Sequence, residues 1–268
     1  MTDTQQLKQT IISIISGKGG TGKTTVAINL GASLALFGRK VLIVDADIGL
    51  KNVDIYLGLE ELVTGDICDI LNEKSKPEDV IIKHPNIENL SVIPAALSRD
   101  KEEMDEELFD KTIKFFAKNY DYVLIDSPHG IGKPLKMTLA PAHKVIVVTT
   151  PDRSAILKSD KIIGVAEETG IDHKNINLVI NKVENHLRNE GIQKSKEEIL
   201  EVLKLELLTE IPFDYDICSC NEMGKPITLS GEKETTGIFL NLARSIEGEK
   251  IEPNIVKKKT ILRRILGG

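Results

Sequence analysis

Eight residues near the start of the chain, Gly17-Lys18-Gly19-Gly20-Thr21-Gly22-Lys23-Thr24, constrain its fold more than any others. They fit the pattern G-x-x-x-x-G-K-[ST] in full. Before them, Ile11–Ser16 is a short apolar, β-branched run that reads as a buried strand. After them, Val26, Ile28, Leu30, Leu34 and Phe37 recur at helical spacing over Thr24–Phe37, and Gly38 closes that helix. A glycine-rich loop between strand and helix cradles phosphate. Its backbone N–H groups converge on phosphate oxygens, and the following helix directs its positive end at the same anion. In such a loop Lys23 reaches the β- and γ-phosphates, the Thr24 hydroxyl ligates Mg²⁺, and Thr25 stands at the α-phosphate.

The same alternation runs to the end of the chain. Strands are predicted at Val41–Val44, Leu90–Ile93, Tyr122–Ile125, Val145–Thr149, Ile176–Ile180 and Leu207–Ile211. Helices are predicted at Glu106–Lys118, Ser154–Glu168, Lys194–Lys204 and Glu234–Ile246. Strand alternating with helix implies βαβ units, and hence an α/β fold: a mostly parallel twisted sheet with helices on both faces. Ligands of such sheets bind beyond the carboxyl ends of the strands, where the glycine loop and several acids fall. The expected organisation is a polar lead over 1–10, a P-loop domain over 11–248, a linker over 249–256 and a distinct tail over 257–268.

Composition agrees and narrows the partners. Aromatics are 4% with no Trp, so the core rests on Ile, Leu, Val and Ala, as a buried parallel sheet does. A net charge of −6 argues against a protein that coats nucleic acid. Three cysteines without framework spacing, including the Cys218/Cys220 pair, suit a reducing, cytoplasmic setting, and the five histidines show no ligand spacing. Met1–Thr10 lacks the apolar segment of a secretory signal, and no apolar run is long enough to span a bilayer.

Two acidic sites stand at strand ends. Asp126 closes the run Tyr122–Ile125, where a carboxylate can hold the Mg²⁺ hydration shell. Asp45 and Asp47 follow Val41–Val44, and a carboxylate near the γ-phosphate can position water.

Lys18 has no part in a minimal phosphate loop. Read from Lys18 to Thr24, K-G-G-x-G-K-T resembles the deviant Walker A motif of the MinD/ParA/nitrogenase-iron-protein group of ATPases. Asp45-Ala46-Asp47-Ile48-Gly49-Leu50-Lys51-Asn52 is similar to switch I of the MinD family, and Asp126-Ser127-Pro128-His129-Gly130 to its switch II, with His129 in place of the usual small residue. Further similar stretches are Pro94-Ala95-Ala96 with Arg99-Asp100-Lys101, Thr149-Thr150-Pro151-Asp152, Asn181-Lys182 and Ile211-Pro212-Phe213-Asp214. The resemblance implies ATP as the nucleotide and an ATP-bound homodimer in which Lys18 crosses to the partner's nucleotide. It implies that Asp47 orients the attacking water with support from Asn52, and that Asn181 and Pro212 border the adenine. It also implies protein partners that stimulate hydrolysis or inhibit division.

The tail is basic and amphipathic. If it is helical from Thr260, then Ile261, Leu262, Ile265 and Leu266 gather on one side, and Arg263 and Arg264 on the other. Such a helix suits an anionic membrane surface, and two turns or so form only on docking. One tail binds weakly; two on a dimer raise avidity by about 10²–10⁴. The tail also resembles the membrane-targeting sequence of the MinD family. The expected protein is a MinD-like ATPase that positions the division site from the inner face of the cell membrane. A ParA-like DNA-segregation ATPase, or a placer of flagella or chemoreceptors, stands as the alternative.

Overall fold

The structure, a computed structural model, describes residues 9–49, 52–96, 105–231 and 233–251. Eight strands form one sheet: β1 (Thr10–Ile15), β2 (Val41–Asp45), β3 (Ile82–Lys83), β4 (Leu90–Ile93), β5 (Tyr122–Asp126), β6 (Lys144–Thr149), β7 (Ile176–Val183) and β8 (Glu206–Pro212). Their order is β3-β4-β2-β5-β1-β6-β7-β8. All pairs are parallel except β3 with β4 at the edge. The helices of seven or more described residues are α1 (Lys23–Leu36), α2 (Glu106–Ala117), α3 (Lys133–Leu139), α4 (Arg153–Glu168), α5 (Lys196–Leu203), α6 (Tyr215–Glu222) and α7 (Glu234–Ile246).

The period of two along β1 sets the layers. Ile12 and Ile14 join Val26 and Leu30 of α1 and Phe239 and Leu242 of α7 in one core. Ile11 and Ile15 point to the other face, where Phe109 and Ile113 of α2 and Ile156 of α4 cover them. Each fully buried aliphatic side chain contributes roughly 1.5–3 kcal/mol of transfer free energy. Helix α1 is buried on nearly every side, because its small residues let the sheet approach. A Cβ on Gly31 would come within 2.7 Å of Ile43 Cδ1.

The topology places the glycine loop. The chain leaves β1 towards β2 on one side and leaves β5 towards β6 on the other. Adjacent strands whose connections diverge open a crevice at their carboxyl ends. There Asp45 of β2 lies in register with Asp126 of β5.

Some boundaries differ from expectation for local reasons. The helix expected at Lys194–Lys204 starts at Lys196, since Ser195 caps it: the Ser195 hydroxyl accepts from Glu198 N–H, and the Glu198 carboxylate from Ser195 N–H. Strand β7 continues past Ile180 to Val183 through a shift in register, with Lys182 in a left-handed conformation, φ 57°. Among the described residues no helix is long and apolar enough to cross a membrane.

Candidate functional site

The loop is held from two sides. Gly17 packs against α4 so closely that a Cβ would lie 2.5 Å from the carbonyl carbon and oxygen of Lys158. Gly22 precedes α1 at φ 90°, and a Cβ there would fall 2.1 Å from Asn181 Nδ2. Only glycine meets both demands. From β7, Asn181 Nδ2 donates to the Thr21 carbonyl at 2.8 Å, and Lys182 Nζ donates to the Gly20 carbonyl at 2.8 Å. No side chain caps α1 at Gly22, which leaves its first-turn N–H groups available to an anion. The Thr21 hydroxyl is buried without a partner among the described residues. Such a cradle, with donors unspent, fits a phosphate chain.

Charge is concentrated beneath the loop. Lys23 Nζ lies 2.6 Å from Asp126 Oδ1 and 3.9 Å from Asp47 Oδ2, and all three side chains are buried. The Thr24 hydroxyl donates to Asp126 Oδ2 at 2.6 Å. Asp126 and Thr24 thus offer two hard oxygens to one small space, the donor set Mg²⁺ takes when substrate phosphates and water complete its shell. Among the described residues no three His, Cys, Asp or Glu side chains form a closed metal cage. Burial pushes the Asp45 carboxyl up to about 8, and the neighbouring Asp126 adds to the rise. Backbone N–H groups of Asp47 and Val53 and the Lys23 ammonium oppose it. Asp45 accepts from those N–H groups at 3.0 and 3.3 Å and so braces the turn that carries Asp47.

At the rim, Lys18 Nζ meets Asp152 Oδ1 at 3.2 Å. Asp152 caps α4 by accepting from Ala155 N–H at 3.1 Å and takes the Thr150 hydroxyl at 2.6 Å. Burial works to raise this carboxyl, but the Thr150 hydroxyl, the Ala155 N–H and Lys18 together hold it below the ordinary value. His129 Nδ1 stands 3.7 Å from Asp47 Oδ2 and is half-exposed.

A cleft of about 370 Å³ joins these parts. Gly19 to Thr25, Asp47, Asn52, Asn181 and Pro212 all line it; Asp126 lies under Lys23 and Thr24, while Gly17 and Lys18 stand outside the lining. Leu50, Lys51, Arg99, Asp100, Lys101 and the tail residues Ile261, Leu262, Arg263, Arg264, Ile265 and Leu266 lie outside the described residues. The sequence reading gives no role to Lys182, and it does not single out Tyr56 or the whole of α6, which brings Cys218 and Asn221 to the cleft. Asp214 was the available signal: its side chain accepts from Asp216 N–H and starts α6.

Known proteins resemble this chain in sequence and fold. The AAA domain family model matches residues 9–180. The septum site-determining protein MinD of Thermotoga maritima is 39% identical over 241 residues, covering 90% of this chain and 89% of that protein. The MinC:MinD cell division protein complex of Aquifex aeolicus superposes with a TM-score of 0.84 at 34% identity, over 92% of this chain and 99% of that one. MinD of Pyrococcus horikoshii, solved with Mg-ADP, gives 0.80 at 31%, over 89% and 96%. The chain belongs to the MinD family of septum-site-determining P-loop ATPases.

Proposed function

We propose that the chain is an ATP-switched dimer that docks reversibly on an anionic membrane surface and works there in placing the division site. The observation that carries its ATP-binding core is the convergence of Lys23, Thr24 and Asp126 within hydrogen-bond distance beneath an uncapped helix start; the tail and Lys18 support the rest by resemblance. The proposed organisation is a P-loop domain over 11–248, a linker over 249–256 and a membrane-targeting tail over 257–268.

Each residue has a proposed task. The N–H groups of Gly19 to Thr24 bind the phosphate chain, Gly17 seats the loop on α4, and Thr25 stands at the α-phosphate. Lys23 exchanges its carboxylate partner for the β- and γ-phosphates. Thr24 and Asp126 hold Mg²⁺, which when bound neutralises charge on the phosphate oxygens. Asp47, 3.9 Å from the Lys23 ammonium, orients the attacking water, and Asn52 supports it. Asn181 and Pro212 border the adenine; Asn181 keeps one hydrogen and one lone pair free after its bonds to Thr21 and Lys182.

Lys18 stands at the rim, outside the lining of its own cleft, which suits a lysine that serves a partner's nucleotide. The Aquifex aeolicus MinD solved with MinC supports a division-inhibitor partner for this chain too. Ile261, Leu262, Ile265 and Leu266 enter the membrane interface, and Arg263 and Arg264 face anionic headgroups. Light scattering tests the switch: the mass doubles with ATP and stays monomeric with ADP. A mass indifferent to nucleotide contradicts it.

A further inference from the structure

Helix α6 ends over the cleft, and its Asn221 is only half used. The amide Nδ2 donates to the Thr25 hydroxyl at 3.3 Å. The amide Oδ1 is buried and has no partner among the described residues, although Asn221 lines the cleft. A buried acceptor without a donor is costly, and native proteins seldom keep one unless a ligand or water supplies the proton.

The chemistry of a nucleotide limits what can supply it. Phosphate oxygens accept hydrogen bonds and cannot serve an acceptor. The donors of ATP are its ribose hydroxyls and the amino group of its base. Nitrogen and oxygen of one carboxamide share a carbon, so Oδ1 lies close to whatever Thr25 touches. Thr25 is the residue placed at the α-phosphate, and the sugar is bonded to that phosphate. The base lies farther out, towards Pro212. The donor of ATP nearest that phosphate is therefore a ribose hydroxyl.

We infer that Asn221 is a nucleotide-binding residue whose amide oxygen accepts a ribose hydroxyl while its amide nitrogen holds Thr25, making the cleft selective for ribonucleotides. The inference rests on the ATP-binding reading of the cleft. Equilibrium binding of ATP, 2′-deoxyATP and 3′-deoxyATP to the full chain tests it. Wild type favours ATP over at least one deoxy analogue by roughly threefold to tenfold. In Asn221→Ala the ratio falls to about one, since no acceptor remains. Asn221→Asp keeps an acceptor, so it retains the ratio while binding all three more weakly, because it adds a carboxylate beside the phosphates. A ratio is insensitive to any general loss of stability. Equal binding of all three by wild type, or a wild-type ratio in Asn221→Ala, overturns the inference while leaving the ATP site standing. Failure of wild type to bind any of the three overturns the site and the inference together.

Discussion

The Lys18 ammonium lies 3.2 Å from the Asp152 carboxylate across the rim of the cleft, and both side chains are about two-fifths exposed. An ion pair this open to water is worth about 0–1 kcal/mol. Lys18 can therefore leave Asp152 at little cost, as the proposed switch to a partner's nucleotide requires. Lys18→Ala is expected to lower stability by less than about 1 kcal/mol, which is no more than roughly 4 °C in Tm for a chain of this size. The same variant is expected to lose the ATP-dependent dimer by light scattering. A variant that dimerises normally would remove Lys18 from the switch.

Asp47 has a different proposed task. Its side chain is 8% exposed and faces the Lys23 ammonium. Removing it should spare nucleotide binding, which the loop provides, and stop the water. In Asp47→Ala, phosphate release should fall by about 10²-fold or more while the ATP-bound dimer accumulates. Ordinary turnover would exclude the assignment.

Gly17 and Gly164 offer a paired test of the loop's support from α4. A Cβ at Gly17 meets main-chain atoms of Lys158 at 2.5 Å, and one at Gly164, on the same helix, meets nothing within 4 Å. Gly17→Ala should cost about 1–3 kcal/mol, read as lost ATP affinity or a lower Tm. Gly164→Ala should be neutral or gain up to about 1 kcal/mol from helix propensity. Equal effects at the two positions would show that the close contact is not what holds the loop.

His84 gives the domain a pH dependence away from the cleft. Its Nδ1 accepts from Asn86 N–H at 3.1 Å and Ile87 N–H at 3.0 Å, which fixes the proton on Nε2. Burial lowers its pKa from the ordinary 6.5, and the nearby Leu57 backbone offsets only part of this. The unfolded chain takes up the proton near 6.5 and the folded chain does not, so stability is lost as pH falls below about 6.5. His84→Asn keeps a short acceptor and does not titrate. Between about pH 7.5 and 5.5 its Tm should fall less than that of wild type. Parallel curves would clear His84 of the effect.

How much of this was legible in the sequence depended on element length. Leu90–Ile93 and Glu234–Ile246 read with the bounds they have, because one is a short, mostly apolar run stopped by Pro94 and the other an amphipathic repeat. The edge strand Ile82–Lys83 has two residues, too few for any period to show. Ile67–Leu71 and Pro77–Val80 are single turns whose only signals are caps: Asp66 with Asp69 in one, Pro77 at the first position in the other. The glycine loop and the acids at the ends of β2 and β5 were legible because their chemistry is local. Asn221 was not, since only the tertiary fold brings α6 to Thr25, 196 residues earlier in the chain. The pairing of Lys18 with Asp152 escaped for the same reason.

Co-sedimentation with anionic liposomes tests the central claim most directly. The full chain would be compared under ATP, ADP and no nucleotide with a chain ended at Pro253. The account predicts binding that requires both ATP and the residues after Pro253, through avidity of about 10²–10⁴ from paired tails. Pelleting of the shortened chain to the same extent, or of the full chain equally under ADP, would contradict it.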